Sequence, residues 1–373
     1  MSLSNLTTSS AMRVELATST LPGIPLRTLL AGVGFAVLLG SVPSSHCSVA
    51  AQDSTKPAVK KFEPTAQGKI VPAEAKLELL FNEGEFTEGP AVDADGAIVF
   101  SDIGNRLLRF DPATGKTTVF RDPSGRANGL IFDQRGRLIA CEGANTGGNR
   151  RISVTEADGK VRTLADRFEG KRFNSPNDLD VDPQGNVYFT DPRYVGDDPR
   201  ELDFEAVFFV STDGKVKIAT RDLEKPNGIL VAADGKKVFV ADNNGKADGN
   251  HHLVVFDVAE DGTLAKKQVL WDFGPNARGI DGMTFDAAGN IYATAGRGEA
   301  AGIYVFTPAG LPLAFIPTPG DPTNCVFGIG KESQVLYITA DGPKPQDPAV
   351  KRRFALYRIP LAVAGRPRHD GKK

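Results

Sequence analysis

Six oxygen-bearing side chains stand at one position of a repeated pattern in this chain. A turn of the form D-x-x-G, followed by a β-branched or aromatic run, recurs at Asp93–Gly96, Asp133–Gly136, Asp182–Gly185 and Asp286–Gly289. A variant occupies Ala232–Gly235, and a degenerate copy lies at Lys331–Ser333. Eight residues before the repeat glycines stand Glu88, Asn128, Asn177, Asn227 and Asp281, and the same step from Glu332 reaches Asn324. Each opens an apolar run: EGPAVD, NGLIFD, NDLDVD, NGILVA, DGMTFD and NCVFGI. Two carboxylates and four carboxamides brought to one level form a cage of hard oxygens. Ca²⁺ suits it, since that ion takes about six to eight oxygens and tolerates neutral carbonyls. Mg²⁺ and Mn²⁺ remain open; Zn²⁺ is the poorest match, because it favours His or Cys and the ring has neither. Taken singly, each residue reads as a turn former, because Asn and Asp before a strand make local Asx turns. Turns alone do not require carboxylates at two of the six, and two uncompensated charges on an axis would be costly.

The elements that must position these residues follow from the same repeat. The repeat glycines lie roughly 40 to 54 residues apart, and each interval holds a second hairpin signal, such as RFDPATGKTTVF or VFFVSTDGKVKIA. Two hairpins per unit make four strands, and six units at this period predict an all-β, six-bladed β-propeller with four antiparallel strands per blade. One or two β-sandwiches would not need near-identical turns at near-constant spacing. The innermost strand of each blade lines the axis, so equal register puts the six side chains at one height around the channel. Closure is expected from pairing of the N-terminal strand Lys76–Phe81 with the C-terminal strand Ala355–Ile359, which hides two sheet edges at once.

The second strand of each blade returns to the same face. Asp102, Glu142, Asp191 and Asp242 end those strands and are expected to rim the mouth, with Arg193, Tyr194, Asn243 and Arg297 beside them. Residues 196–203 read as a lid. His251 and His252 read as a surface pair, and there is no G-x-S-x-G nucleophile elbow.

On Glu88-Gly89-Pro90, Asn174-Ser175-Pro176-Asn177-Asp178, Phe189-Thr190-Asp191-Pro192, Pro226-Asn227-Gly228, Asp281-Gly282-Met283 and Thr323-Asn324-Cys325, the chain resembles the gluconolactonase, senescence-marker-protein-30 and regucalcin-like propellers. The resemblance spans about residues 75–360. It implies a divalent cation held by Glu88, Asn177, Asn227 and Asp281, and hydrolysis of a lactone with Asp281 as general base. Asn128, Asn174, Glu142, Asp191, Arg193 and Asn324 are then assigned to substrate contacts. Some members carry an Arg two residues before the first ligand Asn, where it meets the sugar. Here that position is Ser175, which argues for a substrate of different shape. A phosphotriester or other ester hydrolase on the same metal site stays open, as do a ligand-binding propeller with a structural calcium and a carbon–carbon-forming synthase.

Composition agrees with a globular chain. Of 373 residues, 40% are hydrophobic, and Lys+Arg 44 against Asp+Glu 46 leave a net charge of -2. That balance suggests no nucleic-acid or anionic-membrane partner, and the resemblance implies a small-molecule lactone or ester instead. Arg27, the apolar run Leu29–Leu39 and Ser48-Val49-Ala50-Ala51 make residues 1–51 an expected secretory signal, hence a periplasmic or secreted protein without stable membrane contact once the signal is cut. Residues 52–75 read as a flexible linker, 76–362 as the propeller and 363–373 as a basic disordered tail. Cys141 and Cys325 either form one disulfide or stay reduced and buried.

Overall fold

The computed structural model describes residues 60–367 apart from Asn145 and Pro348. The expected signal peptide at 1–51, the first part of the linker and the end of the tail lie outside the described residues. Six four-stranded antiparallel sheets follow one another in chain order as the blades of a propeller. From axis to rim, blade I runs Thr87–Val92, Ile98–Asp102, Arg106–Asp111 and Lys116–Arg121. The innermost strands of blades II to V are Ala127–Phe132, Leu179–Val181, Pro226–Val231 and Met283–Phe285. Blade VI combines Pro322–Phe327, Val335–Asp341 and Phe354–Pro360 with Glu78–Gly84 from the other end of the chain. This is the predicted closure, with Leu79 opposite Tyr357 and Phe81 opposite Leu356.

The repeated turn has a local cause. Asp93 Oδ1 accepts from the backbone N–H groups of Asp95 and Ala97, and Gly96 takes a φ of 86° that a side chain would resist. The same clasp forms at Asp133, Asp182 and Asp286. Burial then falls from axis to rim. Thr87–Val92 is buried throughout, whereas every residue of the outer strand Lys116–Arg121 is at least partly exposed. Apolar clusters fill the gaps between neighbouring blades; Tyr188 and Val207 of blade III, for example, pack with Ile229, Val238 and Phe256 of blade IV.

Two stretches expected to be loose are seated on the propeller. From the linker, Phe62 packs edge-on against Trp271, Tyr304 and Phe306, and Ile70 is buried against blades V and VI. Gln67 Nε2 donates to the Phe315 carbonyl at 2.9 Å. The linker reading missed this because one aromatic ring and a single helical turn, Gln67–Ile70, leave no periodic signal. From the tail, Gly365 bridges to Asp286, and Arg366 lies over the Phe285 ring while donating to the Val231 carbonyl at 2.8 Å. Cys141 and Cys325 are buried and unpaired, so the reduced alternative holds.

Candidate active site

The six register positions do meet around the axis, and backbone bonds tie their strands together. Gly129 N–H donates to the Asn177 carbonyl at 2.7 Å, Gly228 N–H to that of Asp281 at 2.8 Å, and Gly282 N–H to that of Thr323 at 2.8 Å. Thr323 Oγ1 joins blade VI to blade I by donating to Thr87 O at 2.8 Å. So close an approach explains the glycine after the ring residue: a Cβ on Gly228 would collide with the Asp281 carbonyl.

Three carboxyls crowd this centre. Glu88 is 4% exposed and accepts from the Gly89 N–H at 2.7 Å. Burial, then the nearby Asp281 charge, push its carboxyl well above the ordinary carboxylate range, while the Gly89 and Asn324 hydrogen bonds pull the other way. Burial also raises Asp281, opposed by the Arg278 guanidinium, whose Nη2 lies 2.6 Å from Asp281 Oδ2. Asn227 Nδ2 donates to Asp281 Oδ1 at 2.9 Å. Asp178 lines a narrow axial cavity of about 30 Å³ beneath the ring, walled mostly by apolar residues such as Leu130, Leu230 and Met283. Burial there lifts its carboxyl to about 7.

These acids make a prediction. A carboxyl whose pKa is higher folded than unfolded holds its proton more tightly in the native state. Stability without a bound cation therefore falls as pH rises from the unfolded value toward the folded one. For Asp178, with Glu88 in the same direction, the window runs from about 4 to about 7. Thermal unfolding in EDTA should show a higher midpoint at pH 5.5 than at pH 7; a flat or opposite trend would contradict the burial described.

The donor set fits a hard divalent cation. Glu88 and Asp281 supply two charges that repel each other, and Asn177 and Asn227 supply neutral oxygens. Among the described residues no group of three or more His, Cys, Asp or Glu side chains is arranged to hold a metal ion.

The rim expectation fails for several residues. Asp191 is fully buried, and its carboxylate accepts from the Asn174 and Ser175 N–H groups at 2.7 Å each. Asp102 and Asp242 clasp the segments before their own blades in the same way. Glu142, 1% exposed, is gripped by Arg121, Arg151 and Asn149. Asn174 is fully buried and donates to the Phe204 and Asp191 carbonyls. Arg193 and Arg150 both hold Asp198, which ties down the loop expected to be a lid. These groups brace the scaffold, because their hydrogen-bonding atoms are spent on backbone and on one another. Asn128 and Asn324 do stay with the ring: Asn128 is partly exposed, and Asn324 donates toward Glu88. His251, expected on the surface, is buried, with Nδ1 3.1 Å from the Gly274 carbonyl. Arg278 and Asp178 join the site although the register gave no sign of them, and Tyr194, expected beside the mouth, is near enough to feel the Asp281 charge; Arg278 lies three residues before Asp281 in a segment that does not repeat.

Residues 86–342 match the family model described as the SMP-30/Gluconolactonase/LRE-like region. The chain belongs to the SMP-30/gluconolactonase/LRE-like family. It is 30% identical over 311 residues to a gluconolactonase of Zymomonas mobilis, covering 77% of this chain and 85% of that protein. The solved structure of a gluconolactonase from Xanthomonas campestris superposes with a TM-score of 0.66 at 30% identity, over 79% of this chain and 92% of that one. The chain is also similar to a diisopropyl-fluorophosphatase of Loligo vulgaris, 28% identical over 279 residues, 68% of this chain and 84% of that protein.

Proposed function

We propose that this protein hydrolyses small lactones at the axial ring, using a divalent cation, most simply Ca²⁺, held by Glu88, Asn177, Asn227 and Asp281. The observation behind this reading is the meeting of two buried, mutually repelling carboxyls with neutral amides on the axis. The similarity to gluconolactonases supports the lactone. When bound, such an ion polarises a carbonyl oxygen and eases ionisation of water. The residues do the rest. Asp281 takes the proton of the attacking water as general base. Its Oδ2 is steadied by Arg278, and its Oδ1 by Asn227. Glu88 balances charge, and Asn128 and Asn324 offer carboxamides to the ring oxygens of the substrate. Water adds to the carbonyl carbon, the ring C–O bond breaks, and the proton passes from Asp281 to the departing oxygen, leaving a hydroxy acid.

A second substrate class, phosphorus esters, is favoured by the similarity to the diisopropyl-fluorophosphatase. A pH-stat panel of lactones and one phosphotriester, run with EDTA and with added Ca²⁺, separates the readings. Acid release from lactones that EDTA abolishes and Ca²⁺ restores is the expected result. Loss of thermal stability in EDTA with no turnover on any substrate would make the ion structural and the protein a binding module. Export is part of the same proposal, on the signal-like residues 27–51, and cell fractionation tests it.

A further inference from the structure

Arg278 lies between the outermost strand of blade IV, Leu264–Asp272, and the innermost strand of blade V, Met283–Phe285. Its backbone is held on both sides. The Gly296 N–H donates to the Arg278 carbonyl at 3.0 Å. The next residue, Gly279, is pressed against blade IV, where a Cβ would come within 2.9 Å of Asn243 Oδ1. From this anchored segment the guanidinium reaches the ring. Nη2 donates to Asp281 Oδ2 at 2.6 Å, while Nη1 has only a long contact, 3.4 Å, with the Gly296 carbonyl. Both side chains of the pair are mostly buried, at 14% and 16% exposure.

The ring therefore already holds a positive charge of its own. Glu88 and Asp281 repel each other, and among the described residues the Arg278 bond is the one ion pair that either of them makes. With Asn227 Nδ2 on Oδ1 at 2.9 Å, both oxygens of Asp281 are engaged by N–H donors. A divalent cation would call on the same carboxylate. A positive charge fixed beside it opposes the ion, and burial keeps solvent from screening the opposition.

We propose that Arg278 is the built-in counter-ion of the ring: it neutralises Asp281 when no cation is bound, and by competing for that carboxylate it weakens the hold on the cation. This rests on the cation reading given above.

Two substitutions test it. Arg278→Met removes the charge and keeps much of the bulk; Arg278→Gln removes the charge but can still donate to Asp281. Calorimetric titration with CaCl₂ should give both variants a dissociation constant about 10-fold tighter than wild type, the modest end of what a unit charge a few ångström from a divalent ion does inside a protein. Without the ion the order reverses. In EDTA both variants should unfold at a lower midpoint than wild type, because Asp281 is left buried and unpaired. Added CaCl₂ should then raise their midpoints by more than it raises that of wild type. A variant that folds only with CaCl₂ supports the proposal, and so does a variant that binds Ca²⁺ where wild type does not. A merely structural Arg278 would lose affinity along with stability. An affinity equal to or weaker than that of wild type therefore overturns the proposal and leaves the cation reading standing. An unchanged or higher midpoint in EDTA overturns it as well, since the empty ring would then not need the charge. Variants that stay unfolded even with CaCl₂ overturn it too, because the ion would not replace the guanidinium. If none of the three proteins binds Ca²⁺, the cation reading falls and the proposal falls with it.

Discussion

Asp281→Asn should lower kcat/KM on a lactone by about a thousand-fold or more while the protein still folds. General bases contribute roughly 10²–10⁴ in rate, and this substitution also removes one of the two charges on the ring. The isosteric amide keeps the shape, and it can still accept a hydrogen bond from either Arg278 or Asn227 through its one remaining oxygen. Arg278, only 14% exposed, loses its charged partner, which costs stability. Losing the charge also relieves Glu88, whose carboxyl is raised in part by Asp281. The two effects oppose each other, so the variant should still unfold as a cooperatively folded protein in EDTA while being inactive. Turnover within about ten-fold of wild type would exclude Asp281 as the base.

Glu142→Ala should do the reverse, costing stability without touching the chemistry. Its carboxylate, 1% exposed, meets Arg151 Nε at 2.7 Å, Arg121 Nη2 at 3.1 Å and the Asn149 amide. Removing one partner of a buried ion pair costs about 3–5 kcal/mol, because the charges left behind stay desolvated. Arg121 is the more enclosed of the two cations, at 12% side-chain exposure against 24% for Arg151. A further change of Arg121 to Met should return part of the loss. Chemical denaturation measures the cost, and the kcat and KM of the folded fraction should match wild type. A raised KM at unchanged stability would restore the substrate-binding role expected from the sequence.

Glu142 and Asn177 mark where the sequence was legible. Register is a backbone property, and a period of repeated turns carries it openly. The blade count and the six ring positions follow from where the four Asp turns, the variant Ala232–Gly235 and the degenerate Lys331–Ser333 fall. Direction along a strand is equally plain, so Glu142 and Asp191 were rightly placed at the ends of second strands. What each does there depends on which neighbours reach it. Asp191 meets backbone N–H groups 16 and 17 residues away, and Arg121 reaches Glu142 across 21. No local pattern records such meetings. Phe62 was illegible for the same reason: its partners are rings of blades IV and V, more than 200 residues further along. Arg278 sits in a segment that does not repeat, and only the folded chain shows it on Asp281.

Blade VI has a consequence for how the molecule is made. Glu78 and Arg358 lie 280 residues apart and meet in its outermost pair. A ribosome delivers the first of these long before the second, so the ring stays an open arc until Phe354–Pro360 has been made. A chain clipped ahead of Phe354 would keep five finished blades yet leave Val335–Asp341 and Glu78–Gly84 without the strand between them. Two bare ribbons of N–H and C=O would then invite other copies to stick. Quality control during synthesis thus has a sharp criterion, since only a molecule holding both Glu78–Gly84 and Phe354–Pro360 can shut.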